Sequence, residues 1–377
     1  EESLVTATAA GAAYNDKNVA GANRIDYTGI ALTGTGAANY AVADTAQGAG
    51  TITQRALTLG AVELQSKTYD GTTAADASKF RATLGNTIAG DSVTAAATTA
   101  TYNDKNVAAA NRIDYTGVGL AGADAGNYSL AATTAQSAGT ITRRALTVGA
   151  VTAQTKTYDG TTAADASQFH ATLNNVVAGE ESLVAATAAG AAYNDKNVAG
   201  ANAVGYTGVA LTGTGAANYA IADTVQGAGT ITQRALTLGT VAAQTKTYDG
   251  TTAADASKFR VALNNAVAGD NVTAAAAGAA YNDKNVAAAN RIDYTGVALA
   301  GADAGNYSLA ATTAQSAGTI TQRALTVDTV AAQSKTYDGT TSADTSKFHA
   351  TLGNFVAGEE GSVAATAAGA TYNDKNV

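Results

Sequence analysis

Few side chains in this sequence could do chemistry. Its two histidines, His170 and His349, lie 179 residues apart, and Arg81 and Arg260 hold the same place in other copies of an internal repeat. A place shared by Arg and His is typical of a solvated surface, and the other copies would lack a general base. No nucleophile elbow, zinc-protease motif, phosphate-binding loop or paired catalytic carboxylates occur. We therefore expect no catalytic residue and no enzymatic activity.

The Asp and Asn of the recurring motif YNDKN could bind calcium, which prefers oxygen ligands. Lys105 lies inside that motif and would oppose a dication. Asp124 and Asp303, in GADAGN, correspond to Gly36 and Gly215 in the other copies, so half of the copies would lack that ligand. Asp and Asn are also common in tight turns. We expect turns here, with no metal and no cofactor.

An intramolecular isopeptide bond is a further alternative, because a Lys beside an Asn and a carboxylate can form one. Lys67 or Lys105 with Asp70 would supply the groups. Such a bond needs a buried Lys, and both lysines lie in hydrophilic turns. We expect none, and an intact mass lower by one ammonia per bond would reveal it.

The composition excludes several classes of protein. The 377 residues contain 22 basic and 30 acidic side chains, a net charge of −8, and no Cys, Pro, Met or Trp. An acidic chain has no electrostatic footprint for nucleic acid, and no apolar run approaches the length of a membrane span. Without Cys there are no disulfides, thiolate metal sites or thiol nucleophiles. The missing initiator Met and signal peptide lead us to expect that the natural protein is longer.

An internal repeat of about 89 residues organises the chain. KTYDGT recurs with its tyrosines 89, 90 and 89 residues apart, and YNDKNV recurs at alternating spacings of 88 and 91 residues. Two module types, A and B, therefore alternate, and the two extra residues of type B lie near the pair Glu180–Glu181. We predict part of a B module in residues 1–55, complete modules in 56–144 (A), 145–234 (B) and 235–323 (A), and part of a B module in 324–377.

Each module has a β pattern. Stretches rich in Thr, Val, Tyr and Ile, such as RALTVGAV from Arg144, alternate with Gly, Asn and Asp turns. The segment from Thr72 could form one short helix capped by Thr or Asp. Six or seven strands in each module predict an all-β tandem array of small antiparallel, Ig-like β-sandwiches. AGTIT runs into RALT of the next module across one residue, with no flexible linker, so we expect an elongated rod.

Aromatic residues recur at fixed places in every module, and in an Ala-rich domain they are the main candidates for the core. Each buried Tyr removes roughly 150–250 Å² from water. The alternative is a platform on which sugars stack. The predicted core residues are Tyr69, Phe80, Tyr102, Tyr115, Tyr128, Tyr158, Phe169, Tyr193, Tyr206, Tyr219, Tyr248, Phe259, Tyr281, Tyr294 and Tyr307.

The motifs KTYDGTTAAD, AGD or AGE, YNDKNV, GADAGNYSL and AGTITRRALTV, in that order, resemble the YDG-type repeat modules of large bacterial surface adhesins. Those adhesins are similar to filamentous haemagglutinins, and many are exported by two-partner secretion. The resemblance covers the whole chain. It implies an extracellular, non-enzymatic, β-rich stalk or fibre of a Gram-negative cell.

The expected function is a structural repeat stalk or fibre of a secreted adhesin that mediates adhesion, aggregation or biofilm matrix assembly. Its expected partners are a glycan or protein of a host or bacterial surface and neighbouring copies of the same fibre, with no nucleic acid and no membrane insertion. The alternative is a lectin-like array in which each module binds glycan weakly and multivalency raises the overall affinity. A silk-like β material fits less well, because the repeat unit is long and carries its own motifs.

Overall fold

The computed structural model describes residues 4–376, and these are all-β. Short strands are joined by tight turns and by single turns of 3-10 helix, and the order is similar from repeat to repeat, with one additional 3-10 turn in the B module. This confirms the predicted tandem array of β modules. Within the described residues, helical segments are far too short to cross a membrane.

The chain divides into two compact units. The first contains Glu1–Thr152, Ala166–Gly190 and Tyr206–Val225, and the second contains Ala153–Asp165, Ala191–Gly205 and Gln226–Val377. Each unit therefore contains parts of consecutive modules.

The strands are numbered along the chain. The first part-module contains β1 (Thr6–Tyr14), β2 (Arg24–Thr33) and β3 (Thr45–Ala49). The first complete module contains β4 (Arg55–Val62), β5 (Gln65–Thr68), β6 (Ala82–Gly85), β7 (Thr94–Ala96), β8 (Thr99–Tyr102), β9 (Arg112–Thr116), β10 (Gly119–Ala121), β11 (Tyr128–Leu130) and β12 (Thr134–Thr142). The B module contains β13 (Arg144–Ala145), β14 (Thr147–Val151), β15 (Gln154–Thr157), β16 (Ala171–Asn174), β17 (Ala185–Thr187), β18 (Gly190–Tyr193), β19 (Ala203–Thr207), β20 (Ala210–Thr212), β21 (Tyr219–Ala220) and β22 (Val225–Thr232).

The remaining strands lie in the last two repeats. They are β23 (Arg234–Val241), β24 (Gln244–Thr247), β25 (Val261–Asn264), β26 (Thr273–Ala275), β27 (Gly278–Tyr281), β28 (Arg291–Thr295), β29 (Ala298–Ala300), β30 (Tyr307–Leu309), β31 (Thr313–Thr321), β32 (Thr326–Val330) and β33 (Ala350–Gly353). The 3-10 turns are Ala37–Asn39, Ala77–Lys79, Ala125–Asn127, Ala166–Gln168, Glu181–Leu183, Ala216–Asn218, Ala256–Lys258, Ala304–Asn306 and Thr345–Lys347.

The sheets of a type A module are mixed rather than wholly antiparallel. In residues 56–144 one sheet has the order β5-β12-β9-β8 and a second has the order β11-β4-β6, with a separate β7–β10 pair. β5 pairs with β12, and β4 pairs with β11, in parallel. Parallel pairing needs a long crossover connection, and most of the module separates the two strands of each pair. The second type A module repeats this topology in β23–β31.

Alternating burial places the core on one face of each strand. In β9 the inward residues Ile113 and Tyr115 are buried, while Arg112, Asp114 and Thr116 face outward. The ring of Phe80 packs against Tyr115 with 4.7 Å between centroids. Arg112 Nε lies 3.0 Å from Asp114 Oδ1 with both side chains exposed, so this surface ion pair contributes under about 1 kcal/mol.

The predicted short helix is the single 3-10 turn Ala77–Lys79. Asp76 caps it, because its Oδ1 accepts a hydrogen bond of 3.0 Å from the backbone N–H of Ser78. The turn delivers Phe80 to the core immediately afterwards.

Candidate functional site at the module joints

The groups that hold consecutive modules together come from four short segments at each boundary, which we call a joint. The upstream module contributes the YDG turn that follows β5 and the DKNV loop that follows β8. The downstream module contributes the turn that carries Glu180 and the pair Asn218–Tyr219, whose Tyr begins β21. Each segment is one of the recurring motifs, so the motifs of one module meet those of the next.

A carboxylate lies between two tyrosines at the joint of the first A module with the B module. The hydroxyl of Tyr69 donates to Glu180 Oε1 at 2.8 Å, and that of Tyr219 donates to Oε2 at 2.7 Å. The two rings meet edge to face with 5.4 Å between centroids. Lys105 Nζ lies 3.4 Å from the same carboxylate. All three groups that face Glu180 therefore satisfy its charge, which is what burial of a carboxylate requires.

These contacts shift the pKa values of the phenol and the carboxyl group at the joint in opposite directions. Burial, followed by the hydrogen bond to Glu180, raises the pKa of the Tyr69 phenol far above its usual value. Burial also acts to raise the pKa of Glu180, but hydrogen bonds from Tyr219, Tyr69 and Lys105 outweigh it, so that pKa is lowered. The carboxylate is thus ionised and both phenols are protonated at neutral pH.

An amide pair closes the other side of this joint. Asn218 Oδ1 accepts a hydrogen bond of 2.9 Å from the backbone N–H of Val107, and its Nδ2 donates to Asn106 Oδ1 at 2.9 Å. The Asn that precedes the recurring Tyr therefore binds the DKNV loop of the preceding module.

The YDG turn requires glycine for two reasons. Gly71 has φ +79°, which favours glycine, and a Cβ built there would lie 2.9 Å from Val177 Cγ1 of the next module. Gly160 and Gly250 have the same contact with Val267 and Val356, at 3.0 and 2.8 Å.

The YDG turn is itself fixed by a lysine. Lys67 Nζ donates to Asp70 Oδ1 at 2.7 Å and to oxygens of Thr72 and Ala74, and it lies 5.4 Å from the centroid of the Tyr102 ring. The expectation that Lys67 lies in a hydrophilic turn was wrong, because Lys67 belongs to strand β5 and only 18% of its side chain is exposed. Four oxygens replace the water that surrounds an exposed ammonium.

The same joint recurs in the second unit with Asp in place of Glu. The hydroxyls of Tyr158 and Tyr307 both donate to Asp270 Oδ2, at 2.9 and 2.5 Å. Asn306 binds the backbone N–H of Val198 at 2.9 Å, as Asn218 binds Val107. In the joint that follows, Tyr248 donates to Glu359 Oε1 at 2.6 Å.

The predicted aromatic set has two locations. Fourteen of its fifteen members are buried and Tyr248 is half-buried. Six of them contact the joints: Tyr69, Tyr128, Tyr158, Tyr219, Tyr248 and Tyr307. The other nine are buried within the modules: Phe80, Tyr102, Tyr115, Phe169, Tyr193, Tyr206, Phe259, Tyr281 and Tyr294. Buried rings offer no face on which a sugar could stack.

The joint carboxylates are functional residues that sequence reasoning missed. Glu180 was located from the sequence only as a neighbour of the two extra residues of type B, and the structure buries it. The available signal was that AGD or AGE places a carboxylate at residues 91, 180, 270 and 359 of otherwise variable turns.

The acidic motifs lie in turns that use their own carboxylates. Asp104 Oδ1 accepts hydrogen bonds from the backbone N–H and side-chain amide of Asn106, at 2.7 and 2.9 Å. Within residues 4–376 no three His, Cys, Asp or Glu side chains are grouped as metal ligands. His170 and His349 are exposed, and each ring contacts a nearby backbone carbonyl.

Comparison with solved structures finds tandem β domains at very low identity. A titin I9–I11 tandem is 9% identical, with 71% of this chain and all of that chain covered and a TM-score of 0.23. Protocadherin gammaB7 EC3-6 is 10% identical, covering 84% and 91%, with a TM-score of 0.24. Drosophila N-cadherin EC1-4 is 9% identical, covering 85% and 92%, with a TM-score of 0.23. These likenesses are too weak to carry an argument.

No curated protein matches the chain. The family model of the YDG domain does match, at residues 53–135, 142–226, 232–314 and 321–377. These four matches cover most of the chain and include every copy of the KTYDGT motif. The chain belongs to the YDG domain family and consists of YDG repeats in tandem.

Proposed function

We propose that the chain is a structural repeat segment of a secreted bacterial adhesin, a stalk or fibre that supports adhesion or matrix assembly at the cell surface. The observation that carries the proposal is the joint at Glu180. A buried carboxylate, two tyrosines and an amide pair tie one module to the next, where an array of independent binding domains would need only a linker.

The connection between modules also supports this function. A single residue, Arg143, separates the end of β12 from β13, and Gln233 separates β22 from β23. The peptide therefore lacks the length of a flexible tether. A load applied along the chain passes through both the strands and the joint.

Single-molecule pulling of the whole chain tests the load-bearing role. We expect a regular series of unfolding peaks, each releasing roughly 290–320 Å of chain, the extended length of one module of about 89 residues. A smooth extension without peaks contradicts the proposal.

Antibodies against the chain should label unpermeabilised cells of the bacterium that carries it, and labelling only after permeabilisation contradicts the surface location.

A further inference from the structure

The upstream face of every joint is the same in both module types. Each presents the Tyr and Gly of a YDG turn and the Lys, Asn and Val of a DKNV loop. The hydrogen bond from the backbone N–H of the Val to the downstream Asn is 2.9 Å at Val19, Val107 and Val198. None of these five residues distinguishes an A module from a B module. The loop that carries them differs two residues after the Val, where type A has Ala109 and type B has Gly200, so the exchange of carboxylates described below is the decisive test.

The downstream faces differ at the carboxylate. Its residue occupies the same place in each turn, because its backbone N–H donates to the carbonyl three residues earlier: 3.0 Å for Glu180 and 3.2 Å for Asp91 and Asp270. The side chain of Glu is one methylene longer than that of Asp and begins at the same backbone position. The carboxylate of a B module therefore extends farther into the joint.

That extra reach changes what the carboxylate binds. Glu180 uses a separate oxygen for each tyrosine and still lies 3.4 Å from Lys105, and Glu359 lies 4.0 Å from Lys284. Asp270 uses one oxygen for both tyrosines. Among residues 4–376, Lys196 forms no ion pair, although it holds the place of Lys105 in its joint.

We propose that the carboxylate of the downstream turn alone sets the class of each joint. A Glu turn recruits the lysine of the preceding module and closes the joint with an ion pair, whereas an Asp turn leaves that lysine unused. Joints that respond to salt then alternate with joints that do not, with a period of two modules. The proposal concerns the joints themselves and does not depend on where the protein is located.

Amide hydrogen exchange on the whole chain tests the proposal at two matched reporters. The N–H of Val107 reports a Glu joint and the N–H of Val198 reports an Asp joint, because each donates to the Asn of the next module. Peptides that include Thr99 or Ala203 distinguish these segments from the other copies of the motif. Raising NaCl to about 0.5 M, where the Debye length is only a few Å, should speed exchange at Val107 and not at Val198.

The lysine variants make the comparison specific. Lys105→Met should speed exchange at Val107 by roughly 1.5- to 5-fold, the range for a partly exposed ion pair, and abolish its salt dependence. Lys196→Met, the control, should leave Val198 unchanged. Equal effects of the two substitutions, or an equal salt response of the two amides in the parent chain, would overturn the proposal.

Exchanging the carboxylates tests whether the carboxylate of the downstream turn alone sets the class of the joint. Asp270→Glu should slow exchange at Val198 and make it salt-dependent, and adding Lys196→Met should remove both effects. Glu180→Asp should make amide exchange at Val107 independent of salt. This variant tests the same point if Asp270→Glu fails to fold. If Glu180→Asp retains the salt response of Val107, the class of the joint is set elsewhere and the proposal is wrong.

Discussion

The hydroxyl of Tyr69 hydrogen bonds to the carboxylate of Glu180 at 2.8 Å, although 111 residues of chain separate them. Tyr69 follows the last residue of β5, and Glu180 lies in a turn of the next module. The contact repeats between Tyr158 and Asp270, 112 residues apart. The residue that defines the YDG motif therefore binds the neighbouring module as well as its own.

Tyr69→Phe removes this hydrogen bond while keeping the ring. Because the acceptor is a buried carboxylate, we expect a loss of about 1.5–3 kcal/mol from the joint. Urea denaturation of the whole chain, followed by circular dichroism, measures it. Tyr337→Phe is the control, since Tyr337 holds the same motif position and is 60% exposed. Equal losses in both variants would mean that the Glu180 contact adds nothing.

Gly71→Ala separates the two requirements at the YDG glycine. Gly339 has the same φ of +79° but nothing within 4 Å of a built Cβ. Gly339→Ala should lose about 1–2 kcal/mol from the left-handed backbone alone. Gly71→Ala should lose about 1–3 kcal/mol more, because its methyl meets Val177. Val177→Ala in the same chain should relieve the second part, and denaturation of the single and double variants checks this.

The lysine clamp predicts how the YDG turn responds to acid. Hydrogen bonds from Lys246, and then from the backbone of Thr251, lower the pKa of Asp249 from 3.8 to about 2. Since the pKa is lowered by folding, this stabilisation is complete well above pH 3.8 and is lost as the pH falls through about 2. Lys246→Met should move the pKa back towards 3.8, which NMR titration of the side-chain carboxyl measures. A pKa that stays near 2 would show that the backbone bonds alone are sufficient.

Residues 56–234 should fold cooperatively without metal. This segment contains both faces of the joint at Glu180, and its acidic motif residue Asp104 already binds Asn106. Excess chelator should therefore leave its melting temperature unchanged, whereas a structural metal would make folding depend on it. A melting temperature that falls on addition of chelator would show that a cation is part of the fold.

Much of a module's interior could be predicted from the sequence. The recurring Phe80 and Tyr115 and the capped turn at Asp76 follow from local rules of burial and capping, which act within a few residues or within one strand. The mixed pairing of β5 with β12 could not be predicted, because an alternating strand pattern does not reveal which strand lies beside it or in which direction it runs.

The joint was harder to foresee for the same reason. Tyr69 and Phe80 are both buried aromatic residues at fixed places in the repeat. Tyr69 packs against the next module and Phe80 packs within its own, and their spacing does not reveal this difference. The burial of Glu180 depends on three partners from distant segments. A buried charge is stable only when such partners converge, and convergence is a property of the tertiary structure.

The 111-residue separation of Tyr69 and Glu180 also fixes an order of events in folding. Contacts between distant residues form late, because the intervening chain must first be ordered. In a chain that emerges N-terminus first, one module can fold before the next has emerged. The tyrosine of its YDG turn then has no carboxylate to bind, because that carboxylate belongs to the next module. Each joint closes one module behind the emerging end, so the newest module always presents an unpaired tyrosine until its successor is complete.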